Sequence, residues 1–115
     1  MSASKQRGTA WESRIVAYLR ERGWPHVERR TLSGAKDRGD IAGIVGVVIE
    51  AKNAARHALA EWLDEAELEA SNDGAHHGVV WAHRRGYASP AKGYVVMSGE
   101  TYARLLTAAG FGGSA

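Results

Sequence analysis

The stretch from Asp40 to Lys52, DIAGIVGVVIEAK, decides how this 115-residue chain folds. Eight of its thirteen residues are Ala, Ile or Val, yet it opens on an aspartate and closes on a glutamate and a lysine. So apolar a run belongs in a protein interior, where an unpaired charge is costly. Gly43 and Gly46 divide it into two short strands and predict a hairpin. Such a hairpin folds Asp40 back toward the strand end that bears Glu50. Side chains alternate along a strand, so Glu50 and Lys52 share a face about 7 Å apart, with Ala51 opposite. Val47, Val48 and Ile49 predict burial on both faces, which leaves the charged pair where the strand emerges.

Working outward, the pattern is helical from Thr9 to Arg22, ended by Gly23, Trp24 and Pro25. Val27 to Leu32 reads as a first strand and Ser33 to Gly39 as a loop. Ala55 to Ala70 is a second helix, with Leu59, Trp62, Leu63, Ala66 and Ala70 at helical spacing. Gly78 to Ala82 is a buried strand, Arg84 to Gly93 a basic loop, and Tyr94 to Met97 a further strand. Ser98 caps a last helix over 99–109. The expected order is α-β-β-β-α-β-β-α, an α/β fold with a small mixed central sheet flanked by helices. One domain over 1–115 suits the length, with residues 1–7 and 110–115 expected to be flexible.

Composition narrows the function classes. The chain is 44% hydrophobic and 24% charged, with no cysteine, which excludes disulfides and thiolate metal sites and fits a reducing compartment. No apolar run approaches the ~20 residues of a membrane span, and MSASKQRG lacks the apolar core of a secretory signal. The expectation is an intracellular, cytoplasmic protein. Charge is uneven: residues 1–38 carry nine Lys or Arg against four acids, whereas residues 61–73 carry six acids and no base. That asymmetry points to a polyanion partner on one face.

The candidate site starts from Glu50-Ala51-Lys52. Alone, this tripeptide reads as a strand-end ion pair. With Asp40 folded beside it, two carboxylates and the Ala51 carbonyl form a hard-oxygen donor set suited to Mg²⁺ or Mn²⁺. Glu12 offers an independent signal. At 100° per residue, Ile15, Val16 and Leu19 fall within about 60° of it, so Glu12 lies on the apolar stripe of its helix. There it requires a partner: an arginine, a backbone N–H, or the same cleft. Lys5, Arg7, Arg29, Arg30, Lys36 and Arg38 flank that cleft, and Arg84, Arg85 and Lys92 lie on the late loop. These are phosphate-type contacts with little sequence reading. Tyr87 can stack at a branch point or simply lie on the surface. His57, His83 and the His76-His77 pair lack metal-ligand spacing, and Trp11, Trp62 and Trp81 read as core or dimer contacts.

Gly8 and Glu12 on an opening helix, Ser33-Gly34, Asp40, and Glu50-Ala51-Lys52 followed by a helix resemble the PD-(D/E)XK nuclease superfamily. Within it, the chain is most similar to Holliday-junction resolvases of the archaeal type and their phage-encoded relatives, over about residues 5 to 82. The resemblance implies a restriction-endonuclease-like core and a catalytic set of Glu12, Asp40, Glu50 and Lys52. It implies Mg²⁺ or Mn²⁺ held by Glu12, Asp40, Glu50 and the Ala51 carbonyl, and Ser33 near the scissile strand. The implied activity is metal-dependent, structure-selective cleavage of branched double-stranded DNA by a homodimer, without membrane or small-molecule cofactor. Two departures stand out. Asp40 follows Gly39 instead of proline, and the helix after Lys52 offers Glu61, Glu65 and Glu69 in place of a glutamine. The competing readings are a nuclease for nicked, flapped, mismatched or restriction-type DNA, a non-catalytic nucleic-acid-binding module, and a structural domain with a buried charge network.

Overall fold

The computed structural model describes residues 2–30 and 39–112. Ser33, Lys36, Asp37 and Arg38 lie outside them. The chain builds α1 (Ala3–Glu21), β1 (Glu28–Arg29), β2 (Ile41–Ala42), β3 (Val47–Lys52), α2 (Leu59–Asp73), β4 (His77–Ala82), β5 (Tyr94–Val96) and α3 (Gly99–Ala108), with a short 3-10 turn at Pro90–Lys92. The predicted α-β-β-β-α-β-β-α order is the observed one. The first helix starts six residues before the predicted Thr9, because the Ser2 hydroxyl caps it by accepting from the Lys5 N–H. Residues 3–7, expected to be flexible, are therefore helical. The second helix starts later than Ala55, at Leu59, and runs on to Asp73, where Gly74 ends it in a left-handed conformation.

The five strands lie in the order β1-β2-β3-β4-β5. β1, β2 and β3 pair antiparallel, with Ile41 opposite Ile49, so residues 40–52 do form the hairpin. β3 and β4 run parallel from Val47 opposite His77 to Lys52 opposite Ala82, and α2 supplies the crossover between them. β5 returns antiparallel to β4 as an edge strand. The sheet is mixed, and among the described residues no helix is long and apolar enough to cross a membrane.

Alternation along β3 assigns its side chains to two cores. Ile49, with Val47 and Ala51 beside it, packs with Trp11, Ile15, Val16 and Leu19 of α1 and with Val79 and Trp81 of β4. On the other face, Trp62 and Ala66 of α2 pack on Val80 and Ala82. Trp11, Trp62 and Trp81 are thus core residues. Trp11 also donates its indole N–H to the Trp81 carbonyl (3.0 Å), which pins α1 over the exit of β4. Gly78 permits close approach of α2, since a Cβ there would strike the Ala66 carbonyl oxygen. Glu50 and Lys52, two and four residues past Val48, point to the α2 side, and that placement organises the site.

Candidate active site

The hairpin brings Asp40 to the carboxyl end of β3. Its backbone is held on both sides: the Arg30 N–H donates to the Asp40 carbonyl (2.7 Å) and the Asp40 N–H to the Ile49 carbonyl (3.1 Å). One carboxylate oxygen, Oδ2, accepts from the Ala51 N–H (2.9 Å). Gly39 explains why no proline precedes this aspartate. Its φ is +95°, out of reach for a proline ring fixed near −65°, and a Cβ there would collide with the Val48 side chain.

Glu50 is 4% exposed and its Oε2 receives no N–H or hydroxyl donor. Burial pushes its carboxyl up, and hydrogen bonds and charge from Asp40 and Glu69 push it further, to about 12. At neutral pH, without a cation, the group keeps its proton. Lys52 lies beyond it on the same face and pairs with Glu65 through Nζ–Oε contacts of 3.3 and 3.4 Å. Burial pulls the Lys52 pKa down, but the acidic groups Glu50, Glu65 and Asp40 around it outweigh burial, so the net shift is upward. The ammonium stays charged.

Two residues that sequence reasoning left unassigned complete this side. Glu65 and Glu69 descend from α2 toward Glu50, and one carboxylate oxygen from each of the three lies within 4.8 Å of the other two. Glu69 is 2% exposed. Its position carried the same signal as Glu12. Seven residues past Trp62, it points about 20° from that buried tryptophan at 100° per residue. Leu59, assigned instead to the apolar stripe, is 46% exposed at the first turn.

Glu12 meets one of the partners its position calls for, an arginine. It is half-buried on α1, across the sheet from the α2 carboxylates, and its Oε1 accepts from Arg29 Nε (3.1 Å). Burial raises its pKa, Arg29 lowers it, and the Asp40 charge raises it again, with a net rise. Glu12 therefore senses Asp40 and lies outside the close Glu50–Glu65–Glu69 group. Of the candidate metal donors, Asp40, Glu50 and Ala51 come together, and Glu12 is linked to them through Asp40.

The expected phosphate contacts separate in the same way. Arg29 is tied to Glu12, and Arg30 grips Asp73 with two N–H donors at 2.6 and 3.4 Å. Lys5 is exposed near the start of α1, whereas Arg7, Arg84 and Arg85 line one cleft beside Lys52. His76 and His77 both donate backbone N–H groups to the Gly46 carbonyl, at the opposite end of the parallel pair.

No family model, curated protein or solved structure matches this chain, so the site rests on its own geometry. That geometry fits a divalent cation. The donors are hard carboxylate oxygens, and a buried one, Glu50 Oε2, receives no N–H or hydroxyl donor.

Proposed function

We propose that this protein is a Mg²⁺- or Mn²⁺-dependent DNA endonuclease of the PD-(D/E)XK type with a restriction-endonuclease-like core, acting on four-way junctions as a homodimer. The observation that carries the reading is the meeting of Asp40, Glu50 and Lys52 at the carboxyl end of β3, with one buried Glu50 oxygen receiving no N–H or hydroxyl donor. A pure binding module gains nothing from an acid cluster facing a phosphate, and a structural charge network would supply the buried Glu50 oxygen with an N–H or hydroxyl donor.

Asp40, Glu50 and the Ala51 carbonyl would hold the cation, joined from α2 by Glu69. When bound, it supplies Lewis acidity toward a phosphoryl oxygen and lowers the pKa of a coordinated water. Lys52 neutralises charge that builds on the phosphoryl oxygens as the attacking water and the leaving oxygen exchange. Glu65 holds the Lys52 ammonium on the cleft side of the strand. Glu12, paired with Arg29, fixes the charge environment of Asp40 from the α1 side.

A junction presents two scissile strands related by a twofold axis, and a subunit with one site needs a partner to cut both. Edge strand β5 and α3 expose Val95 and Tyr102, an apolar area suited to such a contact. The test is cleavage of labelled four-way junction, linear duplex, nicked and flapped DNA with Mg²⁺ or Mn²⁺, beside Asp40→Asn and Lys52→Ala. Paired cuts in the junction alone, lost in both variants, are expected. Equal cutting of plain duplex removes the junction assignment, and no cutting of any DNA removes the nuclease.

A further inference from the structure

Beyond Lys52, a cleft of about 610 Å³ opens beside the carboxyl ends of β3 and β4. This volume lies within the ~300–1,000 Å³ of small-ligand sites. Three arginines line it: Arg7 from α1, and Arg84 and Arg85 from the loop after β4. None of its lining residues is Asp or Glu, and the three guanidiniums make no ion pair among the described residues. The acids of the catalytic side and the bases of the cleft are thus segregated within one end of the sheet. The two strand ends are tied by the His83 N–H donating to the Lys52 carbonyl (2.8 Å). His83 packs edge-on against Trp11 (5.0 Å), one turn from Arg7 on α1.

Rings and cations run in an unbroken row from the catalytic side into this cleft. Lys52 Nζ lies 5.8 Å from the Trp62 ring centre, and His57 lies 5.6 Å from Trp62 and 5.9 Å from Tyr94. Arg84 follows, 5.6 Å from Tyr94 and 4.4 Å from Tyr87. Tyr87 and Tyr94 are both more than two-fifths exposed, so ring surface remains open to solvent. Guanidiniums without acid partners beside open aromatic rings are the chemistry that holds an unpaired nucleotide: phosphate on the cations, base on a ring. A paired duplex keeps its base faces stacked and offers nothing to those rings.

We propose that this cleft binds single-stranded DNA, seating backbone phosphates on Arg7, Arg84 and Arg85 and stacking an unpaired base on Tyr87. The inference deepens the nuclease reading by placing an unpaired strand beside the scissile bond. It rests on that reading for what is cut, and not for what is bound.

The test is anisotropy of a labelled deoxythymidine oligomer of about twelve nucleotides, within the site sizes of single-strand binders. It is compared with a duplex of equal length, in EDTA, over a salt series. The wild-type protein should bind the single strand more tightly. Arg84→Ala should weaken binding about tenfold and reduce the log–log salt slope by about 0.7. Tyr87→Ala should weaken it by a similar factor with the slope unchanged, and Tyr87→Phe should restore it. Arg104→Ala, on α3 and paired with Glu100, should change nothing. Duplex preferred to single strand, or affinity unchanged in both Arg84→Ala and Tyr87→Ala, overturns the proposal, as does an equal loss in Arg104→Ala. Thermal melts of each variant identify loss of fold, and Arg84→Lys, which keeps the charge and loses the planar stack, gives a second measure. An intermediate affinity in Arg84→Lys supports the stacked role, and unaltered wild-type affinity there rejects it. Single-strand binding without cleavage of any DNA keeps the cleft and rejects the nuclease. Cleavage with binding indifferent to Arg84 and Tyr87 does the reverse.

Discussion

Glu50 is where the chemistry and the stability of this chain meet. Its carboxyl keeps a proton in the folded state that the unfolded chain releases above its ordinary value of 4.5. A raised folded pKa means that the associated stability is complete below that value and is lost as pH rises toward about 12. The slope from this group is at most about 1.4 kcal/mol per pH unit. Thermal melts at pH 6 and pH 8 without metal should therefore show a fall that Glu50→Gln removes, because the amide is neutral at both. Cleavage should rise with pH for the same reason, since the cation must displace the proton. Lys52→Ala should lower cleavage by about 10²–10³-fold, as loss of one charge-stabilising donor does elsewhere. Glu65→Gln, which only loosens the Lys52 ammonium, should cost about 10–100-fold. Equal rates for Glu65→Gln and wild type would remove its positioning role.

At the scale of elements, the hairpin and α2 do separate work. The hairpin carries Asp40 to Glu50, and Gly39 at φ +95° makes the turn into it. Gly39→Pro should destabilise the chain by about 3 kcal/mol or more, measured by urea unfolding. Gly78 sets how closely α2 lies on β4, because a Cβ there meets the Ala66 backbone. Gly78→Ala should cost about 1–3 kcal/mol of stability and weaken metal binding with it, since Glu69 rides on the displaced helix. Calorimetric titration with Mn²⁺ beside a melt reads both effects. Stability lost with metal affinity intact would show that α2 does not contribute ligands. These elements also mark how far the sequence could be read. Strand alternation at residues 47–52 was legible, as were the hairpin glycines and the Ser98 cap, because each is a local constraint. The starts of α1 and α2 were less so, since the Ser2 cap and the docking of Trp62 compete with weaker signals further along the chain.

For the whole molecule, the sheet acts as a partition. α1 covers one face and α2 the other, so the inward carboxylate of α1, Glu12, is kept apart from those of α2 and reaches the site only through Asp40. A divalent cation bound by the folded protein alone should raise its melting temperature, by an amount that grows with the logarithm of its concentration above Kd. The rise should be larger at pH 8 than at pH 6, where protons compete for Glu50, and should vanish in Asp40→Asn. A rise equal at both pH values would exclude Glu50 as a ligand. The sequence by itself determined the α/β order, the hairpin at residues 40–52 and the company of Asp40, Glu50 and Lys52. Those follow from period-two alternation and turn residues within thirteen positions. Only the tertiary structure decided that Glu65 and Glu69 face Glu50, that Glu12 pairs with Arg29, and that Arg7 meets Arg84 and Arg85 in one cleft. These residues lie far apart along the chain, and which of them meet depends on the face of the sheet each helix covers, which no local pattern encodes.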